Sequence, residues 1–258
     1  MMKKKVTTIA LAAVLAGVAL VGGTMAYFQD SDVQKNTFTV GNVAIDLFED
    51  FACDENGIAA LMPATGSAQA GTLQNGVEKE VYVENTGSEP AFVRVHIAIP
   101  SILDDGDPSF NAAANVLHFN FSKASMADGK WSWGKSSDAA NYPGNGGDWN
   151  SYTTTIDGVS YNVYVVTYET ALKKGEVTLD AMHQVYLAAD TTNEDILKIK
   201  ETLGDNWMIY VAAEGVQETG FTDAYTALNT AFGVPGSYTV NFKATAENKT
   251  NVDLDATA

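Results

Sequence analysis

The sequence predicts an all-β protein with minor helices, a jelly-roll-type antiparallel β-sandwich carrying two short helices in its connections. Three observations lead there. Apolar residues recur at alternate positions in segment after segment, which is the period of a strand with one buried face. The segments are separated by turns rich in Gly, Asn and Ser, and strands do not alternate regularly with helices as a parallel sheet would require. With 46% hydrophobic and 18% charged residues among 258, the chain holds ample material for a large core. The 22 Gly, 6 Pro and single Cys53 exclude a collagen-like fibre, a disulfide-stapled miniprotein and a multi-cysteine zinc module.

In chain order, residues 1–26 read as a secretory signal peptide. Lys3, Lys4 and Lys5 form a basic start, Val6 to Gly23 is an uncharged apolar run, and Thr24-Met25-Ala26 places small residues on either side of Met25. Cleavage is expected between Ala26 and Tyr27, against the alternative of a retained anchor at the lower limit of a bilayer span. Contact with a membrane is expected only through the uncleaved signal segment. What remains, 27–258, is expected to be a single jelly-roll domain with an extended segment at its start, 27–34.

The first strand changes its apolar phase, from Phe38 and Val40 to Val43, Ile45 and Leu47, with Gly41 at the break. Such a slip predicts a bulge or a bend where the strand crosses between sheets. Next, Val77, Lys79, Val81 and Val83 share one face and Glu78, Glu80, Tyr82 and Glu84 the other. After the turn 85–90, Val93, Val95, Ile97 and Ile99 oppose Phe92, Arg94 and His96, which predicts a hairpin-like pair with one buried face. Alternation recurs at Leu117 to Phe121, Val159 to Val165, Leu179 to Leu187, Trp207 to Val211 and Tyr238 to Ala244. A Gly-, Ser- and Asn-rich stretch, 128–152, reads as an insertion.

Two helices are expected. The first has Thr192 as N-cap with Asp195 three residues on, apolar Ile196, Ile199 and Leu203, and Gly204 as its stop. The second has Thr222 as cap, Tyr225, Leu228 and Phe232 on one face, and Gly233 and Pro235 as terminators.

Three blocks of sequence resemble a known family. They are Ala26-Tyr27-Phe28-Gln29-Asp30 followed by Asn36 to Val43 and Ile45-Asp46-Leu47; Asn75-Gly76-Val77 through Val83-Glu84-Asn85-Thr86-Gly87 to Pro90 and Val93-Arg94-Val95; and, more weakly, Tyr238 to Glu247. This pattern resembles the TasA/camelysin family, secreted bacterial proteins whose signal peptides are cut by a signal peptidase of the SipW type. The blocks leave 100–235 unmatched. The resemblance implies a jelly-roll fold, and it offers two functions: extracellular fibres of the biofilm matrix built by donation of an N-terminal strand, or, in the camelysin branch, metalloendopeptidase activity.

Charge narrows the partners. Lys and Arg number 15 against 32 Asp and Glu, a net charge of -17, and loss of Lys3, Lys4 and Lys5 with the signal makes the balance more negative still. Nucleic acid is excluded on that ground.

Catalytic signals are sparse. His96, His118 and His183 stand on three separate strands, no pair has the spacing of HExxH, and there is no GxSxG elbow. Cys53 has acidic neighbours, Asp54 and Glu55, which raise a thiol pKa and blunt its reactivity. No catalytic residue and no cofactor is therefore singled out, and enzyme activity is left open, with the missing motifs weighing against it. Weaker candidates are an oxygen-rich loop at Asp104, Asp105 and Asp107, which could hold a cation but also reads as a solvated turn. Trp131, Trp133 and Trp149 could stack on sugars but also read as loop-pinning aromatics.

An extended terminus freed by cleavage can add a strand to the open sheet edge of a neighbour, and a head-to-tail contact of that kind propagates. The expected donor is Tyr27, Phe28, Gln29, Asp30, Ser31, Asp32 and Val33, with 38–47 beside the acceptor groove. The expected protein is thus a secreted fibre subunit of a bacterial matrix or cell surface, its partners being copies of itself, the signal peptidase and an accessory anchoring protein. The alternatives are a camelysin-like secreted metalloendopeptidase and a surface glycan-binding module.

Overall fold

In the computed structural model, the described residues are 29–31, 42–52, 61–66, 72–104, 117–120, 130–132, 150–204 and 207–242. They form two antiparallel sheets packed as a sandwich. Sheet A has six strands in the order β1 (Gln29–Ser31), β10 (Tyr210–Gln217), β4 (Ala91–Pro100), β8 (Val159–Leu172) and β6 (Trp131–Ser132), with β7 (Ser151–Ile156) also paired to β8. Sheet B has four, β2 (Ile45–Phe51), β3 (Val77–Asn85), β9 (Met182–Leu187) and β5 (Leu117–Asn120), in that order. One core fills the space between, with Val81, Val83 and Met182 of sheet B against Val95, Ile97 and Val166 of sheet A.

The expected pairing of 77–83 with 92–99 is not what forms. β3 pairs β2 and β9, whereas β4 pairs β10 and β8, so the turn between them carries the chain from one sheet to the other. Asn85 builds that turn: its side-chain amide donates to the carbonyls of Glu89 and Leu172, and its Oδ1 accepts from the Gly87 N–H. Nor has β4 one buried face. All ten of its residues are buried, because α2 (Ala224–Phe232) and the chain after it cover the outer face of sheet A. Phe92 and Val216 pack there on Ala227 and Leu228, and Ala98 and Val163 pack near Phe242.

α1 (Asn193–Leu203) starts as its sequence predicts. Thr192 Oγ1 accepts from the Asp195 N–H, Asp195 accepts in return from the Thr192 N–H at 2.9 Å, and Gly204 ends the helix at φ 80°. In α2 the cap is Asp223 rather than Thr222. The Asp223 carboxylate accepts from the Thr226 N–H at 2.8 Å, and Thr222 donates its hydroxyl to that same carboxylate. A carboxylate at a helix start gains from the exposed amides and the dipole.

Two further expectations change. The alternation after Tyr238 does not form a strand within the described residues: Tyr238 and Phe242 point into sheet A, but their backbone crosses its outer face instead of joining an edge. Conversely β7 arises inside the stretch read as an insertion, and it forms a hairpin with β8 through Asp157 and Gly158, both at positive φ. An Asp-Gly pair between β-branched runs is a strong hairpin signal. The apolar run before Val43 lies outside the described residues, as does Cys53.

Gly215 marks a close approach of the sheets. A Cβ there would meet Ile45 Cγ2 at 2.8 Å, so β10 can lie over the start of β2 only without a side chain. Gly215→Ala is expected to cost about 1–3 kcal/mol in urea unfolding, the usual penalty of overpacking a filled core. Paired with Ile45→Ala it should lose less than the sum of the two single changes, because the second substitution removes the atoms that clash.

Candidate functional site

Sheet A carries a buried ionic cluster on its outer face, at the row where Glu214 of β10 stands beside Arg94 of β4. Arg94 Nε donates to Glu214 Oε2 at 2.5 Å, and the two side chains are almost completely shielded. The remaining donors of the guanidinium reach Asn229 Oδ1, the Gly233 carbonyl and the Tyr238 hydroxyl. The guanidinium carbon also lies 5.7 Å from the Phe232 ring centre and 5.8 Å from that of Tyr238. This cation sits between two aromatic faces, which favours it further.

His96, two residues along β4, completes the cluster. Its Nε2 lies 3.2 Å from Glu214 Oε2 and its Nδ1 3.2 Å from the Tyr152 hydroxyl. The neutral tautomer with its proton on Nε2 satisfies both contacts, donating to Glu214 and accepting from Tyr152. Burial holds the His96 pKa below its ordinary value, against the upward pull of Glu214. For Glu214, burial alone would raise the carboxyl, but the hydrogen bond from His96, the Arg94 guanidinium and the Tyr238 hydroxyl hold it down at about 2.

The ionisable centre of this cluster, Arg94, His96 and Glu214, is buried, while Tyr152, Asn229, Phe232 and Tyr238 around it are half-buried. Its contacts bind the end of α2 and Tyr238 to the sheet. Strand β1 pairs with the same strand, β10, on its other side: Gln29 faces Val216, Asp30 faces Gly215 and Ser31 faces Glu214. These are three of the seven residues expected to form the donor; Tyr27, Phe28, Asp32 and Val33 lie outside the described residues.

The second cluster lies on the outer face of sheet B. Glu80 of β3, Asp180 and His183 of β9 bring one ligand atom each within 4.8 Å of the others. The alternation of the sequence points His183 into the core, but the structure turns it outward, with its side chain 40% exposed. The cause is a register slip between β3 and β9, from Glu78 opposite Gln184 to Val81 opposite Met182, which resets the phase and sends Met182 inward instead. The histidines are divided between the sheets: His96 belongs to sheet A, and His183 and His118 to adjacent strands of sheet B.

Of the other candidates, Asp104 and Trp131 make packing contacts. Asp104 is buried, and its carboxylate accepts from the Tyr164 hydroxyl at 2.6 Å and from the Asn162 amide. Trp131 is 2% exposed, stands edge-on to Tyr168 and donates its indole N–H to the Leu179 carbonyl. Asp105, Asp107, Trp133 and Trp149 lie outside the described residues. Among those described, no helix is long and apolar enough to cross a membrane.

Comparison with known families bears on the start of the chain. A family model described as camelysin metallo-endopeptidase matches residues 1–60. Over these residues the chain is similar to the camelysin family. Comparison with curated proteins gives no match. The camelysin description implies a metal ion, and the donor set Glu80, Asp180 and His183 fits one; an ion held there would supply a Lewis acid. The buried cluster of sheet A does not fit, since Arg94 already neutralises its one carboxylate.

The ionic cluster predicts acid sensitivity with a definite sign. A carboxyl depressed to about 2 from an ordinary 4.5 adds stability above pH 4.5, and that contribution is lost as pH falls towards 2. Neutral His96 acts in the same direction. Thermal unfolding followed across this range should show a shallower acid slope for Glu214→Gln than for the wild type. Arg94→Met, which strands the buried carboxylate, should lose about 3–5 kcal/mol, and Arg94→Met with Glu214→Leu should recover part of that.

Proposed function

We propose that the protein is a secreted structural subunit of bacterial extracellular fibres, assembling head-to-tail by donation of its N-terminal strand. One observation carries the reading: Gln29–Ser31, just beyond the expected cleavage point after Ala26, lies antiparallel on the edge strand position of sheet A, against β10. Among the described residues this pairing covers only Glu214, Gly215 and Val216, while β10 runs from Tyr210 to Gln217. The same backbone hydrogen bonds form equally well when the segment comes from a neighbouring copy, which is the low-cost route of strand exchange. Ile45, at the start of β2, packs over Gly215, and this supports a place for that region beside the acceptor groove.

On this reading the signal peptidase controls assembly, because an uncleaved signal tethers the donor to the membrane. The strong negative charge suits a secreted chain that meets its own copies in high salt or beside cations, where repulsion is screened. The camelysin description favours a second reading, a secreted metalloendopeptidase. The two differ in what the N-terminal segment is needed for.

The chain beginning at Tyr27 is expected to form regular filaments visible by negative-stain electron microscopy. Deletion of Tyr27 to Val33 should leave a chain with an unchanged circular dichroism spectrum that forms none. Normal filaments from the deletion variant would sink the donor role, and chelator-sensitive proteolysis by a chain that never polymerises would favour the endopeptidase.

A further inference from the structure

The Glu80, Asp180 and His183 cluster has the dimensions of a coordination sphere. His183 Nδ1 lies 3.3 Å from Glu80 Oε1 and 3.7 Å from Asp180 Oδ2. A tetrahedral ion with bonds of about 2.0–2.2 Å sets neighbouring donor atoms about 3.3–3.6 Å apart. Both measured edges fall at or just beyond that spacing, so little movement is needed to close around an ion.

Further observations separate this cluster from a group of surface acids. His183 Nδ1 is itself shielded from solvent and, for all its closeness to two carboxylates, makes no hydrogen bond of acceptable geometry. The nitrogen is thus aimed between two carboxylates, as a ligand atom would be. Glu80 and Asp180 stand together among further acids, Glu78 and Asp50, and His183 is the group that offsets their charge. A divalent cation would remove this repulsion. The backbone is also shaped for the purpose, since the slip between Glu78 and Val81 is what turns Glu80 and His183 to the same side.

We propose that Glu80, Asp180 and His183 bind one divalent transition-metal ion of the zinc class, with a further position left to water. The donor set decides the class. An imidazole nitrogen with two carboxylates suits zinc and its neighbours, whereas calcium and magnesium prefer oxygen throughout. The ion ties β3 to β9 across the place where their ladder is interrupted. This site does not depend on the fibre reading: it lies on sheet B, and the strand-donation edge belongs to sheet A.

The test is zinc binding by the full chain, freed of metal with a chelator and titrated with zinc chloride in a calorimeter near neutral pH. The wild type should take up about one equivalent and release protons as it does so. His183→Ala and Glu80→Gln should each abolish that uptake, while Glu84→Gln on the same face of β3 should keep it. Zinc should raise the melting temperature of the wild type and leave that of His183→Ala unchanged, and magnesium should do neither. Circular dichroism of the metal-free variants shows that they are folded; if His183→Ala is not, Glu80→Gln reads the same site. Failure of the wild type to bind zinc, or retention of binding by Glu80→Gln, overturns the proposal. Filament formation is not part of the readout, so this site and the donor strand fail separately.

Discussion

The buried pair of Arg94 and Glu214 is the constraint on which the rest of the molecule depends. A guanidinium and a carboxylate inside a sheet are tolerable only when nearly every donor and acceptor is satisfied. Satisfying them recruits distant parts of the chain: Asn229 and Gly233 from the end of α2, Tyr238 beyond it, and His96 and Tyr152 from two strands. The outer face of sheet A is covered because these groups must come to Arg94. That cover is why β4 is buried on both sides, and why it lies at the centre of the larger sheet.

The same row of residues links this interior to the edge. Ser31, Glu214, Arg94 and Thr167 are successive neighbours across sheet A. Fixing Glu214 fixes the height of β10, and with it the register offered to any strand laid alongside. A short edge pairing of three residues would be poorly specified by itself, since side chains repeat every second residue and a slip of two costs little. Anchoring β10 from behind gives that edge a definite frame.

Much of this fold was legible in the sequence, and the exceptions have physical causes. Alternation located β3, β4, β8 and most of β9, because each has one face in the common core. It could not say which strands pair, since Val83 and Val95 belong to opposite sheets yet face the same core. The capping box of α1 was legible because Thr192 and Asp195 are local, whereas Arg94 and Glu214 are 120 positions apart and nothing in either neighbourhood announces the other. Arg94 and His96 among Phe92, Val93, Val95 and Ile97 did carry a hint, two ionisable groups on one face of an otherwise apolar strand. His183 was misplaced because a register slip is a property of two strands, invisible in either one. The Asp157-Gly158 turn, by contrast, was visible and would have revealed β7.

Strand β8 has a consequence for how such a protein can change over generations. It serves β6 and β7 along one edge, and the two leave off close together: Ser132 stands opposite Thr167, and the Asn150 carbonyl accepts from the Val165 N–H. The two described ends that flank 133–149 therefore lie close together on β8. Closing a longer excursion between fixed ends costs little more than closing a short one. Whatever occupies 133–149 can be lengthened, shortened or exchanged by mutation while the sandwich beneath stays the same. The scaffold thus offers natural selection a place to install new surface properties, and lineages that share the frame are free to differ most there.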